Sequence, residues 1–406
     1  MMRILYTFGI VAYSMLVKIA SLFNTKAKAW VKGRKTSEIY KLTAGEASTK
    51  WIWFHAASLG EFEQGRPLIE AIKSQFPKKK ILLTFFSPSG YEVRKNYELA
   101  DRVEYLPADT ISNAKKLISS YGFEMVFFIK YEFWFNYMYL LYINKIPLYF
   151  VSARFRHDQH FFSWYGWWFR KQLDYVNTFF VQDENSAKLL QSISLSNYVV
   201  TGDTRFDRVF RLSRQQNPLP QIEKFIADRK VFVVGSSWPA DEELLLPVIT
   251  QLPGDYAVIL APHDVSEKHI KAIESQLQVS YTRYSAQSNE KTKVLLIDNV
   301  GLLSQLYRFA QFAYVGGGFG QNIHNIQEAV AYGCPVFFGP NHKNFTEALD
   351  LVRLGGAFAV GGKADLLITV NKFIHDDVFR QTASEVCRRY VDESIGATGK
   401  VMESVF

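Results

Sequence analysis

Two stretches of this chain place residue types that do group-transfer chemistry at the ends of apolar runs. In the first, His55 to Glu63, an apolar run gives way to Ser58, Gly60 and Glu61, so that a strand ends, a glycine permits the turn and a carboxylate opens the next helix. A glutamate there is placed to take a proton from a hydroxyl nucleophile, and partial desolvation would raise its pKa toward that task. The same spacing fits an ordinary acidic first-turn residue favoured by the helix dipole. The second stretch, Tyr314 to Glu328, carries Gly316, Gly317, Gly318 and Gly320, then His324, Asn325, Ile326, Gln327 and Glu328. Read as a strand, a glycine turn and a helix, it offers backbone N–H groups to a phosphate, with Glu328 able to bond ribose hydroxyls; a tight packing turn is the competing reading. The pattern GxGxxG fails in both registers, because Gln321 or Ile323 stands where its last glycine belongs, and no GxxxxGK[ST] occurs. Dinucleotide redox chemistry and a P-loop therefore lose support.

Two further strand ends carry polar groups. Ser236 and Ser237 follow Gly235 and precede Pro239, a residue suited to the first helical position, so their N–H groups can meet a phosphate or carboxylate. Glu132, with Trp134 and Asn136 behind it, follows the apolar run Met125 to Ile129 directly, at the carboxyl edge of a sheet.

Positioning these groups requires parallel sheets. Trp51–His55, Ile81–Phe86, Val103–Leu106, Met125–Ile129, Leu148–Val151, Thr178–Val181 and Tyr198–Thr201 read as strands separated by helices. Ser213 to Pro220 breaks the pattern as a linker. A second series follows at Lys230–Gly235, Ala257–Ala261, Lys293–Ile297, Phe312–Gly316 and Pro335–Phe338. The expected fold is α/β, with two Rossmann-like domains facing a central cleft. Its parts are an N-terminal segment 1–35, a first domain 36–212, a linker 213–220 and a second domain 221–406. The terminal helix, from Arg380 onward, is a candidate to pack back on the first domain. Ligands of open α/β sheets bind beyond the strand carboxyl ends, so paired domains place a site in the cleft.

The 406 residues carry 47 basic and 39 acidic side chains, and the excess is local. Residues 1–35 hold seven basic side chains and no acidic one, leaving 40 against 39 in the rest. A basic stripe for nucleic acid is not indicated, whereas cations beside the most apolar segment point to an anionic membrane surface. From Ile4 to Phe23 the only charge is Lys18. At ~100° per residue, Arg3, Thr7, Ser14, Lys18 and Ser21 share an arc of roughly 60°. That stripe fits a spanning helix, an in-plane helix, or a helix buried on the protein's own core; the absence of a small-residue site after the apolar run argues against cleavage. Phe161 to Lys171 mixes rings with cations, as membrane interfaces and amphipathic core helices both do. Two cysteines, Cys334 and Cys387, with no metal spacing, give neither a disulfide framework nor a zinc site and fit a reducing cytosol.

Together these motifs resemble the 3-deoxy-D-manno-octulosonic acid (Kdo) transferases of lipopolysaccharide assembly, of the GT-B glycosyltransferase superfamily. The likeness spans most of the chain: the apolar N-terminus, His55 to Glu61, Glu132 to Asn136, Ala153-Arg154, Gly202 to Asp207, Gly235 to Pro239, Ala261-Pro262, and Gly316 to Phe345. It implies an inverting enzyme with CMP-Kdo as donor, the tetraacylated lipid A precursor as acceptor at its 6′-hydroxyl, and no cofactor or metal. Glu61 matches the family's general base, and Glu132 and Arg205 match positions supporting the transition state. Pro262, His263, Gly301, Leu302, Leu303, Asn325, Ile326, Gln327 and Glu328 match CMP-binding positions. Ser58, Gly60, Arg154, Ser236, Ser237, Gly317, Gly318 and His324 complete the implied substrate contacts. The implied location is the cytoplasmic face of the inner membrane.

The chain departs from the family at Pro262-His263-Asp264, where Pro-Arg-His is usual, at Asn322-Ile323, at Ala329, and at Arg205, which replaces a lysine. Two rivals stand beside this reading: a GT-B enzyme using another nucleotide sugar, and a noncatalytic nucleotide-binding membrane protein. Oligomeric state has no signature in the sequence.

Overall fold

A computed structural model describes residues 1–215, 217–286 and 291–406. The chain divides into two compact units, Met1–Asp207 with Ile395–Phe406, and Arg208–Ser394. Each is built on a seven-stranded parallel sheet.

In the first unit the strands are β1 (Lys50–Ala56), β2 (Lys80–Phe85), β3 (Arg102–Tyr105), β4 (Gly122–Ile129), β5 (Leu148–Ala153), β6 (Thr178–Val181) and β7 (Tyr198–Val200). Their order is β3-β2-β1-β4-β5-β6-β7, so the chain reverses its direction of growth between β1 and β4. Helices cover both faces, which is why the central strands read as continuous apolar runs. Alternate residues divide between the faces: Trp51 and Trp53 pack with Leu82, Val126 and Phe128, while Ile52 and Phe54 pack with Leu83, Phe127 and Ile129. The last helix, Ala397–Val405, returns to this unit, with Val401 and Met402 buried against Leu68 and Ile72. It is separate from the preceding helix Asp377–Ser394, which belongs to the second unit, so the single terminal helix expected from Arg380 is two.

The second unit contains β8 (Lys230–Ser237), β9 (Tyr256–Pro262), β10 (Tyr281–Arg283), β11 (Val294–Leu296), β12 (Phe312–Val315), β13 (Val336–Phe338) and β14 (Ala357–Ala359). Their order, β10-β11-β9-β8-β12-β13-β14, reverses between β8 and β12. In doubly wound sheets ligands bind beyond the strand carboxyl ends at this reversal. The four strands flanking the two reversals are the ones that lead into Glu61, Glu132, Ser236 and Gly316.

Helix α1 (Met2–Ala20) is long and apolar enough to cross a membrane by length and composition, and none of its residues is buried. Its polar stripe faces the protein. Arg3 donates to the Phe135 carbonyl at 2.7 Å and to Gln172 at 2.8 Å, and lies over the Tyr139 ring at 3.9 Å. Tyr6 donates to buried Asp109, and Thr7 accepts from Asn136. Ile4, Leu5, Phe8, Leu16 and Ile19 point away and are exposed. An α1 buried on the core through its apolar side is thereby ruled out. The aromatic run splits between the two roles it could take: Phe161 and Trp168 are buried, while Trp164, at 90% exposure, and Trp167 face outward.

Candidate active site

Glu61 sits three residues after Ser58, the N-cap of helix Leu59–Gln75. The Ser58 hydroxyl accepts the Glu61 N–H at 3.5 Å, and the Glu61 carboxylate turns back to accept the Ala57 N–H at 2.6 Å. The first-turn capping role and the strand-end carboxylate therefore coexist in one residue. Burial first, then the charge of Glu132, raises the Glu61 pKa to about 8, against the opposing pull of the Ala57 N–H and Lys130.

Glu132 follows β4, across the reversal from Glu61, and belongs to a buried chain of polar groups. Trp134 Nε1 donates to Glu132 Oε2 at 2.7 Å, and His55 Nε2 lies 3.1 Å from the same oxygen. The other imidazole nitrogen, Nδ1, lies 2.9 Å from the Thr84 hydroxyl and 3.1 Å from the Thr84 carbonyl. Arg205 is held by Asp203 through Nε at 2.9 Å and Nη2 at 2.6 Å, and Asp203 also accepts from Gln64 on the Glu61 helix. Arg154 lies 3.7 Å from Asp183 at the end of β5.

Three non-glycine residues adopt left-handed backbone at strand ends: Lys130 after β4, Ser152 in β5 and Ser236 in β8. Such conformations concentrate at functional edges because surrounding structure must enforce them. Lys130 was not singled out from the sequence, although it precedes the Glu132 motif by two residues.

In the second unit the glycine segment does not run straight into a helix as expected. Residues 322–326 are irregular, and the helix that follows, Gln327–Val330, has four residues. The loop is held instead by close backbone approach. A Cβ on Gly318 would lie 2.6 Å from the Gly339 nitrogen, and Gly317 is left-handed at φ +94°. Asp241, buried at the start of helix Pro239–Ile249, accepts the Gly317 N–H at 2.8 Å, the Trp238 N–H at 2.9 Å and the Tyr314 hydroxyl at 2.6 Å. No local pattern announces Asp241, because the helix opens on Trp238 in place of the Ser or Thr of a capping box.

Beside this loop Trp238, Pro239, Gly317, Gly320, Asn322 and His324 line a cavity of about 690 Å³. Trp238 stacks on His263 with centroids 4.4 Å apart, and His263 on His324 at 4.6 Å. Trp238 Nε1 donates to His324 Nε2 at 2.8 Å. Burial, followed by His263, lowers the His324 pKa. The loop thus gathers His263, Gly317, Gly318 and His324, while Leu303 reaches its base against Gly235, just after left-handed Gly301 and Leu302. Around it the Ser237 hydroxyl donates to Glu242, Ile326 is buried, and Gln327 donates to Glu347. Asn325 donates to Glu328 at 3.4 Å, and Pro262 closes β9. Among the described residues no three His, Cys, Asp or Glu side chains gather as a metal set.

Residues 33–208 match the family described as 3-deoxy-D-manno-octulosonic-acid transferase (kdotransferase). A 3-deoxy-D-manno-octulosonic acid transferase of Rickettsia prowazekii is 25% identical over 363 residues, covering 84% of this chain and 76% of that protein. Its counterpart from Chlamydophila psittaci is 24% identical over 381 residues, covering 87% and 85%. Among solved structures, the UDP-GlcNAc 2-epimerase of Neisseria meningitidis bound to UDP-GlcNAc superposes with a TM-score of 0.62 at 17% identity, over 88% of this chain and 99% of that one, a likeness of fold. The fold is α/β of the GT-B-like type, and the family match and the relatives indicate a glycosyltransferase. Within that class it is related, over most of its length, to the Kdo transferases.

Proposed function

We propose that this protein transfers Kdo from CMP-Kdo to the 6′-hydroxyl of the tetraacylated lipid A precursor, on the cytoplasmic face of the inner membrane. The observation that carries the reading is a half-buried carboxylate just past a strand end, Glu61, whose pKa of about 8 suits a general base near neutral pH, in a domain matching this family. Glu61 takes the acceptor's hydroxyl proton as that oxygen forms a bond to the anomeric carbon. The bond from this carbon to the CMP phosphate breaks on the opposite face, and its electron pair leaves with CMP, inverting the centre. Glu132, positioned by His55 and Trp134, and Arg205, oriented by Asp203, support the developing charge. Ser58, Gly60 and Arg154 lie on the first unit's strand edge to meet substrate, while the glycine loop and the Trp238–His263–His324 stack take CMP. No metal or cofactor takes part.

The test is mass-detected transfer from CMP-Kdo to the lipid acceptor in the presence of EDTA. Release of CMP only when both substrates are present supports the reading. Binding of CMP without product rejects this acceptor, and a melting shift with UDP-sugars but not CMP favours another GT-B chemistry.

Membrane attachment follows from α1, whose outward face is apolar and whose neighbour, helix α2 (Thr25–Thr36), is rich in lysine. We infer that α1 lies in the plane of the interface, because Arg3, Tyr6 and Thr7 tie its first two turns to the protein while exposed apolar residues continue along the helix to Ile19. Replacing Leu5, Phe8, Leu16 and Ile19 together by Gln is expected to weaken binding to anionic vesicles by at least ~10-fold, given about 1.5–3 kcal/mol for each fully buried large apolar side chain. Unchanged flotation of this folded variant would remove α1 as the anchor.

A further inference from the structure

A second cavity, of about 370 Å³, lies in the first unit between α1 and α2, outside the carboxylate site. Ser14 and Lys18 of α1 form one wall, and Trp30, Arg34 and Lys35 of α2 another, with Tyr105 at the end of β3. Three of its lining residues are cations, and none is a carboxylate. Arg34 is the unusual group. Its guanidinium lies 3.7 Å over the Trp30 ring and donates to the carbonyls of Leu106 at 3.0 Å and Phe86 at 2.9 Å. Among the described residues it forms no ion pair, and burial lowers its pKa to about 9. Charges drawn out of water are ordinarily paired, so a half-buried guanidinium with no carboxylate partner, at a cavity lined by two further cations, describes a site completed by an anion.

The wall formed by α1 indicates what carries that anion. The helix turns Ser14 and Lys18 toward the cavity and its apolar residues outward, so a molecule with its charged end beside Arg34 and its chain along α1 would satisfy both surfaces. We propose that this cavity receives the phosphate head of a membrane amphiphile, with Arg34, Lys18 and Lys35 as donors. The head has two sources, an anionic bilayer lipid or the lipid acceptor itself. Only the second rests on the transferase reading above. The cavity is also linked to the catalytic edge: the Phe86 carbonyl accepts from Arg34, and the Phe86 ring packs on Trp134 at 4.8 Å, next to Glu132.

Binding of short-chain phosphatidic acid to the full-length protein, compared with the uncharged diacylglycerol and inorganic phosphate, tests the site without any transfer reaction. Wild type should bind the phospholipid saturably and more tightly than either control. Arg34→Met should weaken it by ~10- to 100-fold, the loss of a charged hydrogen-bond partner. Arg34 also braces backbone carbonyls, so two gentler variants guard against a folding effect. Lys18→Ser and Lys35→Ser each remove one exposed charge, and each should lose several-fold affinity at unchanged circular dichroism. Equal affinity across folded variants, or phosphate binding as tight as lipid, overturns the proposal. In the transfer assay, a raised acceptor KM at constant donor KM in the gentler variants identifies the acceptor as the source. An unchanged acceptor KM with weakened binding to anionic vesicles identifies the bilayer lipid.

Discussion

Glu61→Gln is expected to lower kcat by ~10²- to 10⁴-fold while leaving CMP binding unchanged, the usual contribution of a general base. Glutamine is the informative replacement, because its amide oxygen can still accept the Ala57 N–H that Glu61 holds at 2.6 Å, whereas alanine would also loosen the turn. The pH dependence separates base from brace. The carboxylate works deprotonated, so with a pKa raised to about 8 the wild-type rate should climb through that pH, and at pH 6 only roughly 1% of Glu61 would be in the active form. Folding responds in the opposite sense. A carboxyl group whose pKa is raised by folding stabilises the protein below its unfolded value, and that stability is lost as pH rises through about 8. Glu61→Gln has no such loss, so its melting temperature should exceed that of wild type at pH 9, where wild type must carry the half-buried charge. A variant with full kcat, or one less stable than wild type at every pH, would leave Glu61 as a helix-capping residue only.

Glu61 was legible because two simple signals coincide at it: the end of an apolar strand and the start of a helix. The same logic located the strands of both sheets, since a strand covered on both faces must be apolar along its length. It failed at β10 and β14, three-residue edge strands that are only partly buried, where that requirement lapses. Periodicity placed the polar stripe of α1 correctly but could not say which side faces the protein. Arg3, Tyr6 and Thr7 decide this by bonding to Phe135, Asp109 and Asn136, more than a hundred residues away. The helix expected straight after the glycine turn is missing for a related reason. The loop is shaped by Gly339 and Asp241, and no local pattern announces a contact with the backbone of a distant segment. His55, Thr84 and Trp134 likewise lie on separate elements, so their chain to Glu132 emerges only when β1, β2 and β4 pair.

Asp241→Ala should have the largest effect in the second unit. The carboxylate joins three segments: the end of β8 through the Trp238 N–H, the glycine loop through the Gly317 N–H, and the core through the Tyr314 hydroxyl. Tyr314 is fully buried, so removing the acceptor strands its hydroxyl away from water along with a buried loop N–H. Each donor left unsatisfied costs about 1–3 kcal/mol. Part of that cost should fall on folding, lowering the melting midpoint by several degrees at roughly 2–4 °C per kcal/mol for a domain of this size. The rest falls on the loop, because Gly317 is held left-handed beside the cavity that Trp238 and His324 line. Donor KM is therefore expected to rise by ~10²-fold, with kcat at saturating donor changed far less, since Asp241 holds the loop and the chemistry lies with Glu61. Asp241→Asn can keep its amide oxygen on the Gly317 and Trp238 N–H groups and turn its N–H₂ to the Tyr314 hydroxyl, which can also accept, and should fall between wild type and alanine. A donor KM and midpoint unchanged in the alanine variant would show that close backbone packing, Gly318 against Gly339, sets the loop without the carboxylate. A fall in kcat with donor KM unchanged would instead assign Asp241 to the chemistry and away from donor binding.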